Sequence, residues 1–224
     1  MRRYLVPLIF GLGGFAVLMA LGLWQVDRLA WKEAILAEID ARIAAAPVAV
    51  PADPDPEADR YLPVTATGAF TGETLRVLVS VKDRGAGYRL ISAFETGDGR
   101  SIMTDEGFVG LDENAAPGPA TGVTVTGNLH WPDETDRWTP APDLGQNLFY
   151  ARDVAAMAQA LGTDPILVVA RTVSGTDARA TPMPVTSTGI PNNHLGYAVQ
   201  WFGLAAVWLG MTAFLLWRIR NRAV

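Results

Sequence analysis

Cysteine is absent from this 224-residue chain, and histidine occurs only twice. The lack of cysteine excludes structural disulfides, thiolate metal sites and a cysteine nucleophile. The sequence also has no phosphate-binding loop, no Gly-x-Ser-x-Gly elbow and no paired-histidine zinc motif, which are common signatures of catalytic sites. We therefore expect a protein that is not an enzyme.

Charge is missing from two long stretches, residues 5–24 and 195–217. About 20 helical residues, at about 1.5 Å each, span a hydrocarbon core of about 30 Å. Both stretches are therefore predicted to be transmembrane helices, the first within residues 1–25 and the second within residues 192–217. For the first stretch a cleaved signal peptide is the alternative, because basic residues precede it and small residues recur near its end.

Basic residues are concentrated at the two ends of the chain. Five of the 18 arginines and lysines lie there, three of them in the tail at residues 218–224, whereas none of the 23 acidic residues does. The ends therefore carry a net charge of +5 and the middle a net charge of −10. The positive-inside rule then predicts cytoplasmic termini and an external middle, periplasmic in a bacterium or in the equivalent compartment of an organelle. We expect a multi-pass protein of the bacterial inner membrane.

The region after the first apolar stretch has a helical pattern. Leu29, Leu36 and Ile43 recur every seven residues, which predicts an amphipathic helix over residues 26–46. Pro47 ends this helix, and a stiff acidic linker rich in proline follows over residues 47–60.

Residues 61–191 are predicted to form a β domain, because short β-rich runs alternate with Gly, Asp and Pro turns. One short helix interrupts them, capped by Asp153 and closed by Gly162. The fold class is thus α+β, with two antiparallel transmembrane helices flanking a mainly antiparallel sandwich or small barrel. Strands are predicted near residues 62–70, 75–81, 88–95, 100–109, 123–129, 148–151 and 166–171, and turns at 71–73, 85–87, 97–99 and 114–122.

Small residues mark one side of each apolar helix. The first carries Gly11, Gly14 and Gly22, and the second carries glycines seven residues apart at positions 196, 203 and 210. Because small residues let membrane helices approach closely, we expect the glycine seam of the second helix to face the first helix.

His194 stands where the polar domain meets the second apolar helix. It shares one helix face with Tyr197 and Trp201, three and seven residues further on, and Asn192 or Asn193 is the predicted cap. A neutral imidazole is a good axial ligand for haem iron, and the aromatic rings could line a flat apolar ligand. A merely solvated or capping histidine is the competing interpretation.

Other polar residues have plainer interpretations. His130, at the end of a predicted strand, is expected to be a hydrogen-bonded structural histidine. The acidic residues Asp105, Glu106, Asp112 and Glu113 are expected to be solvated loop charges, with a carboxylate pair or a docking patch as the alternative.

Four motifs resemble the Surfeit locus protein 1 family, the Shy-type assembly factors of cytochrome c oxidase. The first and last are specific, the middle two are weak alone, and together they span the chain in the family's order. They are Gly22-Leu23-Trp24-Gln25-Val26-Asp27-Arg28 through Lys32, Gly68-Ala69-Phe70 ahead of Gly87-Tyr88-Arg89-Leu90-Ile91, Asn147-Leu148-Phe149-Tyr150-Ala151-Arg152-Asp153, and Asn192-Asn193-His194-Leu195-Gly196-Tyr197 through Phe202.

The resemblance implies an assembly factor for haem a-containing oxidase that binds haem a and assists its insertion into subunit I. Haem a synthase is a further expected partner, and nucleic acid is not expected. The haem-linked histidine of the family corresponds to His194. One strand departs from the family pattern, since Glu106 stands where an arginine is usual and Gly110 where a proline is usual. This departure leaves the role of that strand in partner docking open.

The site hypothesis combines both ends of the chain. His194 would ligate the haem iron, with Tyr197 and Trp201 beside the ring. Trp24 is predicted to lie at the same membrane depth, and Arg28, one turn further on, would pair with a haem propionate. Two alternatives stay open: a cofactor-free scaffold for an oxidase intermediate, and a generic membrane-anchored envelope adaptor.

Overall fold

The computed structural model describes residues 2–112 and 118–221. They form two compact units, residues 2–38 with 187–221, and residues 39–186. The helices are α1 (Arg2–Ile43), α2 (Val154–Leu161) and α3 (His194–Asn221). Both α1 and α3 are long and apolar enough to cross a membrane. The expected fold class, with two apolar terminal helices around a domain of about seven strands and one short helix, is confirmed.

Helices α1 and α3 pack against each other in antiparallel directions through glycines of α1. A Cβ atom on any of three α1 glycines would overlap a side chain of α3, so only glycine permits this approach. The indole of Trp208 also donates a hydrogen bond of 3.0 Å to a carbonyl of α1. The three contacts, which run in opposite order along the two helices, are Gly11 with Thr212, Gly14 with Trp208 and Gly22 with Phe202.

The glycine seam predicted on α3 does not face α1. A Cβ atom added to Gly196, Gly203 or Gly210 would meet nothing within 4 Å among the described residues. The buried residues of α3 are instead Ala198 and Ala205, which are also seven residues apart. The helix therefore carries two stripes of the same period. The alanine stripe packs because the large side chains beside it fill the space over the glycines of α1.

The second unit contains seven described strands, five of which close into a small barrel. The ring runs β2–β3–β4–β7–β5 and returns to β2. Four of these pairings are antiparallel, and only β4 with β7 is parallel. The barrel alternative of the prediction is therefore the observed one. The strands are β1 (Val48–Ala49), β2 (Pro63–Val81), β3 (Gly85–Thr96), β4 (Ser101–Gly110), β5 (Ala120–Leu129), β6 (Leu148–Phe149) and β7 (Leu167–Ser174).

Strand β2 closes the barrel because it pairs with two different neighbours. Its first part pairs with β5 and its second part with β3, and the register shifts between Phe70 and Thr74. Gly72 adopts a positive φ of 95° at this point. The turn predicted at residues 71–73 is thus a kink inside one long strand, because both flanking runs find partners in the same sheet. The chain turns before residue 85 rather than at 85–87, whereas the turn at 97–99 is confirmed.

Alternate residues of the strands build two apolar layers. In β7, Val168 joins the layer inside the barrel and Val169 the layer beneath α2. Helix α2 buries Met157 and Leu161 in that second layer. Its predicted caps are confirmed: the Asp153 side chain accepts from the backbone of Ala156, and Gly162 is left-handed.

The segments that lead into the barrel are tied to it. Helix α1 ends at Ile43, whose carbonyl accepts a hydrogen bond of 3.1 Å from the Asn128 side chain. Within residues 47–60, predicted as an extended linker, β1 pairs with β2 and Arg100 donates to the carbonyls of Val50 and Pro51. Residues 114–117 of the predicted turn at 114–122 lie outside the described residues, and residues 120–122 belong to β5 instead of a turn.

The helix contact predicts unequal effects at adjacent glycines. Gly14→Val should destabilise the helix pair by about 1–3 kcal/mol, the usual cost of overpacking, because its new side chain meets Trp208. Gly13→Val is the matched control, since nothing lies within 4 Å of a Cβ there. Thermal unfolding in detergent, followed by tryptophan fluorescence, measures both. Equal loss of stability in the two variants would contradict the observed contact.

Candidate functional site

His194 is the first residue of α3, and its side chain contacts α1. Its Nδ1 atom lies 2.8 Å from Oε1 of Gln25. Gln25 is a polar residue, but it is only 8 % exposed, whereas its apolar neighbours Trp24 and Val26 are 52 % and 42 % exposed. Neither predicted asparagine side chain caps the helix among the described contacts: Oδ1 of Asn192 has no partner, and Asn193 accepts the Tyr197 N–H through its backbone carbonyl. His194 is therefore a helix-packing residue with a defined polar partner.

The other predicted site residues lie around this pair. Tyr197 is 50 % exposed, and Trp201 is half-buried beside the stripe of α3 that packs on α1. Both keep an aromatic face available on the side of α3 that carries His194. Their predicted role beside a flat ligand remains a prediction.

Trp24 and Arg28 occupy a second stripe on α1. Trp24 is 52 % exposed, and Arg28 places its guanidinium 4.0 Å from the ring centroid of Trp31. Gln25 and Arg28 are three residues apart, so Arg28 lies one turn beyond Gln25 on the same side of the helix. The structure thus brings His194 to Gln25 and Arg28 to Trp31. A pairing of Arg28 with a haem propionate remains a prediction.

Gln25 is the site residue that sequence reasoning missed. It belongs to the first family motif, but the apolar and charged residues that reveal helical periodicity give no role to an uncharged polar residue. The available signal was an uncharged amide at the end of an apolar run. Such a side chain is expensive to bury without a hydrogen bond, so it predicts a polar partner on the neighbouring helix.

The arrangement fits a ligand that binds through one imidazole nitrogen. A primary amide oxygen can only accept, so Nδ1 of His194 is the donor in this hydrogen bond. The lone pair then resides on Nε2, the atom that ligates haem iron when the other ring nitrogen is held by an acceptor. No group of three or more His, Cys, Asp or Glu side chains suited to a metal ion occurs in the described part of the chain.

Two acidic residues of β4 contradict the sequence-based prediction. Asp105 and Glu106, predicted as solvated loop charges, are only 0 % and 3 % exposed. Asp105 forms ion pairs with Arg89 at 2.5 Å and with Arg152 at 3.3 Å. The prediction failed because these arginines are distant along the chain and no local pattern reveals them. Glu113 lies outside the described residues, and Asp112 is exposed.

Glu106 has its own set of partners on the barrel. Its Oε1 accepts a hydrogen bond of 2.5 Å from Ser92, and its Oε2 lies 3.0 Å from Nε of Arg179. Burial raises the pKa of the Glu106 carboxyl, although Ser92 and Arg179 act in the opposite direction. The Arg179 guanidinium also lies 4.3 Å from the ring centroid of Phe70. The acidic residue that departs from the family pattern is therefore matched by a buried arginine.

The segment after β7, which carries Arg179, is also attached to β4 by backbone hydrogen bonds. Phe108 and Thr181 exchange two backbone hydrogen bonds of 2.7 and 2.9 Å. Gly107, with a φ of 118°, lies so close to the Thr181 carbonyl that a Cβ atom would overlap it. Gly107 and the ion pair of Glu106 with Arg179 thus both allow the segment after β7 to pack against β4.

His130 is structural, but not in the predicted way. Its ring stacks on Tyr61 with centroids 5.5 Å apart, and its Nδ1 atom has no hydrogen-bond partner among the described residues. Burial lowers the pKa of His130 to about 4, and the nearby Arg152 and Arg60 act in the same direction. The ring therefore contributes packing as a neutral group.

Comparison with known proteins agrees with the motifs. Residues 12–206 match the SURF1 family. A rat protein named Surfeit locus protein 1 is 30 % identical over 212 residues, which cover 84 % of this chain and 68 % of the rat protein. The human protein of that name is 30 % identical, with 81 % and 68 % covered. A SURF1-like protein of Rickettsia bellii is 26 % identical over 229 residues, with 94 % and 88 % covered.

The buried ion pair predicts strong coupling between Glu106 and Arg179. Arg179→Met should destabilise the barrel by about 3–5 kcal/mol, because it leaves a buried carboxylate without its counter-ion. The same change in a Glu106→Gln background should cost much less. Urea unfolding of the full chain in detergent, followed by circular dichroism, gives the coupling. Arg84→Met, which removes only an exposed arginine lying over Phe108, is the control. Additive losses at positions 106 and 179 would contradict the pairing.

The neutral His130 predicts a specific pH dependence. Between pH 6.5 and about 4 the unfolded chain binds a proton at this residue and the folded chain does not. Above pH 6.5 the protonation of His130 therefore does not lower the free energy of unfolding. As the pH falls from 6.5 toward 4, the free energy of unfolding decreases because only the unfolded chain binds the proton. His130→Phe keeps an aromatic ring against Tyr61 and should flatten the stability profile in this window. Urea midpoints across the window measure it, and parallel profiles of both proteins would refute the assignment.

Proposed function

The chain belongs to the SURF1 family, and on that basis we propose that it assists the assembly of haem a-containing cytochrome c oxidase. In this proposal it binds haem a and helps its insertion into subunit I, as a binding factor and not as an enzyme. The observation that carries the proposal is the hydrogen bond between Gln25 and His194, which leaves one imidazole nitrogen of His194 available. The family is consistent with an oxidase assembly role.

The residues at the ends of the two helices would share the work of binding. His194 would hold the haem iron through its imidazole nitrogen. Tyr197 and Trp201 offer aromatic surface on the same face of α3. Trp24 offers further apolar surface from α1, and Arg28 offers a positive charge for a carboxylate. Trp31 already holds the Arg28 guanidinium by a cation–π contact, and no acidic side chain in the described part of the chain forms an ion pair with it.

We further propose that α1 and α3 cross the bacterial inner membrane with both termini in the cytoplasm. Their length and hydropathy, together with the arginines outside the apolar stretches, support this orientation. The barrel would then be periplasmic, and His194 would lie at the outer end of its helix. Subunit I, as acceptor, and haem a synthase, as donor, are the partners that such a position suits.

Loss of the imidazole tests the proposal. The full chain would be co-expressed with the enzymes of haem a synthesis, purified in detergent and examined by absorption spectroscopy. Wild-type protein should carry haem a, and His194→Ala should lose most of it, because the iron loses its ligand. His130→Phe, which changes the other histidine, should bind haem a as the wild type does.

Three outcomes would count against the proposal. Full binding of haem a with an unshifted spectrum in His194→Ala would show that another residue ligates the iron. Wild-type protein that purifies with oxidase subunits but without haem a would favour a cofactor-free scaffold. Normal oxidase activity in a strain lacking the gene would favour an envelope adaptor unrelated to the oxidase.

A further inference from the structure

The contact between Gln25 and His194 has features that helix packing alone does not require. Gln25 is the most deeply buried polar side chain of the described part of α1, and the atom it contacts belongs to the one imidazole of α3. The close contact of the helices one turn earlier, at Gly22 and Phe202, limits the distance between their backbones. This contact keeps the backbone of α3 near Gln25, and the orientation of the imidazole is left to the hydrogen bond.

The chemistry of this contact selects one form of the histidine. The Gln25 oxygen accepts, so Nδ1 must carry a proton, and a neutral ring then has its lone pair on Nε2. The hydrogen bond also restrains rotation of the ring about its χ2 angle. Both effects resemble those of the carboxylate or carbonyl groups that hold metal-bound histidines in other proteins, where loss of the partner weakens metal binding.

We infer that Gln25 is a positioning residue for ligand binding by His194: it holds the imidazole in the tautomer and orientation that present Nε2. This inference rests on the proposed function, because the ligand presented is haem a. The residue acts through His194 and does not contact the haem. A neutral amide in this place keeps the imidazole a weaker electron donor than a carboxylate would, which suits a ligand that must later be released.

The first test concerns the protein without haem. In nitrogen-15 NMR spectra of the full chain in detergent, the ring of wild-type His194 should show a protonated Nδ1 and an unprotonated Nε2. Gln25→Leu, which has similar size but no acceptor, should give a mixture of tautomers. Gln25→Glu should restore the single tautomer, because a carboxylate also accepts. An unchanged tautomer in Gln25→Leu would overturn the inference.

The second test measures haem a binding and the reduction potential of the iron. Gln25→Leu should bind haem a about 10- to 100-fold more weakly, as is usual when the partner of a metal-bound histidine is lost. Gln25→Glu should retain binding and shift the reduction potential to more negative values, because a carboxylate makes the imidazole a stronger donor. A purely structural role of Gln25 would not move the potential.

A matched control separates positioning from helix packing. Trp208→Phe removes a different hydrogen bond between the same two helices, the one from the indole to the Gly11 carbonyl. It should lower the thermal stability of the helix pair but reduce haem a affinity much less than Gln25→Leu does. Equal losses of affinity in Trp208→Phe and Gln25→Leu would overturn the positioning role. Wild-type protein without haem a would overturn the proposed function itself, whereas wild-type binding with full affinity in Gln25→Leu would overturn only the role of Gln25.

Discussion

Close approach of α1 and α3 is the constraint on which the candidate site depends. If α1 and α3 cross a membrane as proposed, the hydrophobic effect would not drive them together, and packing and hydrogen bonds would have to do so. The glycines of α1 remove the side chains that would hold the helices apart. Only at that distance can the amide of Gln25 reach the ring of His194. The hydrogen bond between Gln25 and His194 therefore depends on the close packing of α1 on α3. A larger residue in place of Gly22 would weaken both the packing and the hydrogen bond.

In the barrel, buried ion pairs instead of glycine contacts hold separate segments together. Its strand β4 carries two acidic residues in succession, and each is buried against arginines from other parts of the chain. Removing charges from water is costly, so such groups persist only when counter-charges and hydrogen bonds surround them. Here the counter-charges come from β3, from the segment before α2 and from the segment after β7. The acidic pair thus ties β3, the segment before α2 and the segment after β7 to β4 through ion pairs.

Local sequence patterns predict much of this architecture. The predictions that are wrong share one cause, which is that they depend on residues far away in the chain. The apolar stretches, the caps of α2 and most strands follow from composition and spacing over a few residues. The burial of Asp105 and Glu106 does not, because their arginine partners are 16 to 73 residues away and no short motif contains both members of a pair. The face of α3 was mispredicted for a related reason: two stripes share the same period, and only the partner helix decides between them. Gln25 was visible in the sequence, but its importance depends on His194, which lies at the other end of the chain.

The hydrogen bond between Gln25 and His194 also links helix association to ligand occupancy. One ring serves both, since Nδ1 contacts α1 and Nε2 has no hydrogen-bond partner among the described residues. If a ligand on Nε2 makes the Nδ1 proton a better donor, the contact with Gln25 strengthens, and the helices hold together more firmly. Thermodynamic reciprocity requires the reverse as well: a membrane environment that presses the helices together raises the affinity for the ligand by the same factor, and one that separates them promotes its release. The helix pair would then respond to a neighbouring membrane protein without any direct contact between that neighbour and the ligand.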